Sequence, residues 1–163
     1  MSAFRRTSVW ILALSLLSAA TIAGCRGTFE DRAVGPPPGI EGYVVKKQDD
    51  RMLVVAADRS AIWFSSAPRK AKVGQRVQVW YGESQESYPA RAKADRATIV
   101  LSPKPSGADL SEADAVREAL RAYESAAVPV VRQAEYDAAL DQWSVTIGVE
   151  DAEKVERVKD APE

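Results

Sequence analysis

The sequence predicts a small all-β barrel joined to an α+β module. Three observations predict it. Over residues 40–101, short runs of β-branched and aromatic residues are separated by turn residues, the pattern of strands in an all-β unit. Over residues 111–129, apolar side chains fall at helical spacing. Over residues 142–149 they alternate with period two. Composition agrees, because a chain that is 46% hydrophobic and 28% charged suits a folded protein.

The chain opens on a basic stretch with Arg5 and Arg6, followed by a short uncharged apolar run around Trp10-Ile11-Leu12-Ala13-Leu14. That run is shorter than the ~20 apolar residues of a spanning helix, and it describes a secretory signal over residues 1–24. Ile22-Ala23-Gly24-Cys25 closes it and resembles the lipobox of bacterial lipoproteins. The resemblance implies that a peptidase recognises Ile22, Ala23 and Gly24, and that Cys25 receives a diacylglyceryl group and becomes the N-terminus. Cys25 is the only cysteine, so no disulfide forms within the chain, and lipidation gives the lone thiol a role. The expected location is the outer face of the cytoplasmic membrane, with the membrane as a partner through this lipid.

Residues 25–39 form a linker. Pro36-Pro37-Pro38 between glycines favours an extended polyproline segment that stands the fold off the bilayer. Five strands are then predicted over residues 40–101. Tyr43-Val44-Val45 lies in the first and Met52-Leu53-Val54-Val55-Ala56-Ala57 in the second. Ala61-Ile62-Trp63-Phe64-Ser65 is the third and Arg76-Val77-Gln78-Val79-Trp80-Tyr81 the fourth. Residues 91–101 make the fifth, ending in Thr98-Ile99-Val100-Leu101. Five strands in so short a stretch fit an OB-like barrel, and closure removes exposed edges. Residues 102–110, with Pro103, Pro105 and Gly107, read as a second linker.

A helix and β-hairpin module follows over residues 111–149. Ser111 with Asp114 makes a capping-box-like pair, Val116, Leu120, Tyr123 and Ala127 form one apolar stripe, and Pro129 stops the helix. Residues 130–137 and 142–149 read as paired strands, with Trp143, Val145, Ile147 and Val149 on one face. Residues 150–163 are charged, and the expectation is a frayed helix or tail.

Four segments resemble one known family. They are Gly42-Tyr43-Val44-Val45-Lys46-Lys47, Ala61-Ile62-Trp63-Phe64-Ser65, residues 73–81 (Val-Gly-Gln-Arg-Val-Gln-Val-Trp-Tyr) and Glu86-Ser87-Tyr88-Pro89-Ala90-Arg91-Ala92. In order and spacing they resemble the YobA-like domain, a domain of unknown function in surface lipoproteins of Gram-positive, Bacillus-type bacteria. The resemblance implies an OB-like barrel on a lipoprotein and supplies no catalytic residue. The insertion that many members carry before the Ile-Trp-Phe run is nearly absent here.

With no histidine, Ser-His-Asp and Cys-His nucleophile systems are excluded, along with the commonest zinc ligand. No GxGxxG, GxxxxGK[ST] or HExxH motif occurs. The reading is therefore non-enzymatic, with no cofactor, although a carboxylate-based hydrolase is not excluded. Residues 40–101 carry 11 Lys and Arg against 7 Asp and Glu, whereas residues 102–163 carry 7 against 14. Two solvated surfaces explain this asymmetry, and a basic face toward anionic lipid or wall polymer is the alternative. Alternation puts Trp63 and Trp80 on the face opposite Ile62, Phe64, Val77 and Val79. Trp63, Trp80, Tyr81 and Tyr88 are therefore candidate ligand-binding residues that could stack sugars; alternatively they pack under the 82–89 loop or against the C-terminal half. The partner is a protein or wall glycan; export and mild charge argue against nucleic acid.

Overall fold

The computed structural model describes residues 39–102 and 104–161, which belong to one compact unit. The signal and lipidation residues, Ile22, Ala23, Gly24 and Cys25, lie outside the described residues.

The N-terminal half is built from β1 (Ile40–Gln48), β2 (Arg51–Val55), β3 (Ala61–Ser65), β4 (Arg76–Trp80), β5 (Ser84–Gln85), β6 (Ala90–Lys93) and β7 (Arg96–Ile99). They form one sheet in the order β5-β6-β3-β2-β1-β4-β7. Neighbours are antiparallel except β3 and β6, which run parallel. This corrects the expectation of a closed five-stranded barrel: the sheet has seven strands and its ladder does not close.

The difference comes from residues 91–101. β6, parallel to β3, and β7, antiparallel to β4, run in the same direction but are not one continuous strand. The chain bends at Ala94 and Asp95 between them. The Ala94 N–H donates to the Ser65 carbonyl at 3.1 Å, and the Asp95 N–H to the Trp80 carbonyl at 2.9 Å. Consecutive segments thus serve opposite ends of the sheet, β6 beside β3 and β7 beside β4.

Both faces of this sheet are apolar at its centre. Ile40, Val44, Met52, Val54, Ile62, Phe64, Val77 and Val79 form a core on one face. Val45, Leu53, Val55 and Ala61 point the other way, into a second core shared with the C-terminal half. That is why Met52-Leu53-Val54-Val55 does not alternate: all four are fully buried. Alternation sends the adjacent Val44 and Val45 into different cores, and a β-bulge shifts the register between Val44 and Lys46.

The C-terminal half covers that second face. Helix α1 (Glu112–Leu120) starts at Ser111, whose side chain accepts from the Asp114 N–H while Asp114 reaches back to the Ser111 N–H. The apolar stripe ends sooner than its spacing predicts. Val116 and Leu120 are buried, but a 3-10 turn (Arg121–Tyr123) follows and Ala127 is exposed. Pro129 restricts only Val128 before it, so it shapes the entry to β8 and not the end of α1 at Leu120.

β8 (Val130–Asp137), β9 (Gln142–Val149) and β10 (Ala152–Lys159) form a second sheet in the order β10-β9-β8. The expected tail is therefore a strand and the expected hairpin a three-stranded sheet. An edge strand is held by its ladder and needs little apolar alternation, so only Val158 of β10 is buried. Trp143, Val145 and Ile147 are buried against α1 and the first sheet. Each such fully buried side chain contributes roughly 1.5–3 kcal/mol.

Candidate ligand-binding groove

The basic, aromatic surface sits where the C-terminal half stops covering the outer face of β2, β3 and β6. Register builds it. Leu53, Trp63, Arg91 and Gln85 lie side by side on one row across β2, β3, β6 and β5. Ser65 pairs with Lys93 on the next row, and Arg51 pairs with Gln48 across the β1–β2 turn. These residues, with Glu83 and Ser84, line an open groove of about 700 Å³.

Trp63 anchors the groove. Its apolar body packs against the core shared by the two halves. Its indole N–H donates to no acceptor among the described residues. No buried side-chain nitrogen or oxygen there lacks a partner, so this donor is open to solvent. Arg91 and Lys93 are exposed and make no side-chain hydrogen bond or ion pair among the described residues.

Five arginines elsewhere are paired with carboxylates. Arg59 pairs with Asp151, Arg76 with Glu41, Arg117 with Asp114, Arg121 with Glu118 and Arg132 with Glu153.

The other predicted residues are placed apart from Trp63. Trp80 lies on the same face, but on β4, three strands away from β3. Arg96 covers its ring at 3.6 Å from the centroid, a cation–π contact. Tyr81 turns into the first core, 5.2 Å from Phe64 between ring centroids. Tyr88 is 67% exposed, and its hydroxyl donates to the Arg59 carbonyl at 3.2 Å. Tyr81 and Tyr88 share a different depression, lined also by Glu41 and Asp58. The four aromatics thus form no single platform. The cations beside Trp63 were not recognisable in sequence, because they converge only through the parallel β3·β6 pairing.

Four carboxylates sit below their ordinary range. The Ser60 backbone N–H holds Asp58 down, and the Ser111 side chain holds Asp114 down, helped by Arg117. Tyr123 does the same for Glu156, donating at 2.7 Å. At Asp160 burial opposes ionisation, but three donors outweigh it: the N–H groups of Asp109 (2.5 Å) and Leu110 (2.8 Å) and the Trp143 indole (3.2 Å). Each of these groups fixes a turn, a cap or a strand end, and each is held as an anion, the reverse of a protonated general acid. Among the described residues no group of three or more acidic or cysteine side chains is arranged to hold a metal ion. No helix among them is long and apolar enough to cross a membrane.

Residues 41–101 match a family described as a protein of unknown function, DUF3221. The match begins in β1 and runs just past β7, so the DUF3221 segment coincides with the seven-stranded sheet. Every residue lining the groove belongs to it. No curated protein and no solved structure matches the chain.

Proposed function

We propose that the protein is a lipid-anchored, non-enzymatic binding protein. It is held by a diacylglyceryl group on Cys25 at the outer face of the cytoplasmic membrane of a Gram-positive-type cell, and it engages its partner at the Trp63 groove. The observation that carries the binding role is a tryptophan lining an open groove beside Arg91 and Lys93, which pair with no carboxylate among the described residues. The anchor rests on Ile22-Ala23-Gly24-Cys25 behind the apolar run. The OB-like reading is supported by the β1-β2-β3 meander, the β1·β4 pairing and the parallel β3·β6 pairing. The DUF3221 match over the same residues supports the YobA-like resemblance.

Labelled palmitate tests the anchor. It enters the wild-type chain, and Cys25→Ala abolishes incorporation and leaves uncleaved precursor. Label in the variant would falsify the lipidation reading.

A second reading makes wall glycan the partner, favoured because Trp63 offers both an apolar ring and a donor at one place. Glycan fragments should then shift the Trp63 indole signal and leave that of Trp143 unmoved.

A further inference from the structure

We propose that the Trp63 groove takes an anionic glycan, a chain of sugar rings carrying carboxylate or phosphate groups; this rests on the groove being the binding site. Arg91 and Lys93 stand two residues apart on β6, roughly 7 Å along the strand, on the same face as Trp63. Arg51 stands two strands away, on β2, about 10 Å across the sheet. The three cations therefore flank the indole, Arg91 on its own row and Arg51 and Lys93 on the next.

The protein has acidic groups in excess to neutralise these cations, since residues 102–163 carry 14 Asp and Glu against 7 Lys and Arg. It uses those groups elsewhere: Asp151 and Glu153 reach Arg59 and Arg132. Glu83 lines the groove yet forms no ion pair with Arg51, Arg91 or Lys93. Arg51 touches only the neutral amide oxygen of Gln48, at 3.3 Å.

A guanidinium presents a fork of donors that suits carboxylate and phosphate alike. An indole gives a ring an apolar surface to lie on. A neutral glycan would use the indole and leave the cations idle. An unstructured polyanion would use the cations and leave the indole idle. A chain of acidic sugars uses both.

Two hexasaccharides test this, each titrated into residues 26–163, which contain the whole compact unit. One is hyaluronan, alternating glucuronate with N-acetylglucosamine, and the other is chitohexaose, the uncharged N-acetylglucosamine polymer. The readout is the indole N–H signals of Trp63, Trp80 and Trp143. The expected result is a saturable shift of Trp63 with hyaluronan and binding of chitohexaose about tenfold weaker or more. Raising NaCl from 50 to 500 mM should weaken the hyaluronan complex, as should the double substitution Arg91→Gln, Lys93→Gln, by about tenfold or more. Both substituted side chains are exposed, so the backbone spectrum should stay unchanged.

Equal, salt-independent binding of both sugars would overturn the charge proposal while leaving the groove as the site. A response only to vesicles of anionic phospholipid, or only to oligothymidylate, would replace the glycan by a membrane or a nucleic acid. Silence toward every probe would remove both the proposal and the groove reading.

Discussion

The Tyr43 hydroxyl on β1 donates to the Glu112 carboxylate at the first residue of α1, joining positions 69 residues apart. Burial and this bond, in that order, raise the Tyr43 phenol well above its usual value. The contact ties the DUF3221 segment to the C-terminal half. Tyr43→Phe removes the donor but keeps the ring, and should cost about 1 kcal/mol of unfolding free energy. Urea denaturation followed by tryptophan emission measures it. An unchanged midpoint would show that the bond contributes nothing net.

Two further phenols are raised to about 12, Tyr123 by burial and then Glu156, Tyr136 by burial and then Asp141. An unfolded phenol loses its proton near the ordinary value of 10. The unfolded state therefore deprotonates first, and stability is complete below pH 10 and falls as pH rises from there toward 12. Ultraviolet titration of the native protein should show a late class of tyrosines, which merges with the early class on unfolding.

Asp160 works in the opposite direction. Its folded value lies below the ordinary 3.8. Its contribution is present above the unfolded value and lost as pH falls through the lower, folded one. Asp160→Asn keeps one acceptor oxygen for three donors, so the melting temperature should drop at neutral pH. The difference from wild type should shrink below pH 3. A constant difference across that window would assign the effect to shape rather than charge.

Gly74 has a φ of +90°, and a Cβ there would sit 2.2 Å from the Ala113 carbonyl oxygen. Strain and collision act together, because the atom it meets is helix backbone. Gly74→Ala should cost at least about 1 kcal/mol and disturb α1 before the first sheet. Amide exchange resolves the order: faster exchange at residues 113–120 than at β2 is the expected pattern, and uniform loss of protection would contradict it.

The DUF3221 match stops at residue 101, but the apolar outer face of its sheet is closed by residues that come later. A fragment of residues 39–101 would expose Val45, Leu53, Val55 and Ala61 as one patch. It should self-associate or bind hydrophobic dyes, and a chain of residues 39–161 should not. A monomeric, dye-silent fragment would show that the family segment folds without its C-terminal cover.

Much of this was readable from local pattern. The third strand, both strands of the expected hairpin and the Ser111–Asp114 cap stand where the sequence places them. Each is specified by neighbours within a few residues. What escaped was set by pairing at a distance. β5 has two residues and no pattern of its own. β10 is charged because its outer edge faces water, yet Glu150 and Asp151 make a two-residue turn after β9, as Asp49 and Asp50 do after β1. Positive φ at Asp49 and Glu150 marks both. The same holds for the groove. Alternation puts Trp63 on the face opposite Phe64, but only the parallel β3·β6 register brings Arg91 beside it.

β1 is bonded along one side to β2, from Tyr43↔Val55 onward, and along the other to β4, from Ile40↔Val79 onward. The chain enters the fold at its start. A pull on the segment before Gly39 therefore runs along the strand axis and strains two ladders at once, in shear. Ladders peeled from an end give way bond by bond, whereas sheared ladders must yield together. Tension applied at Gly39 therefore meets a mechanically resistant strand, which opens only when both ladders yield.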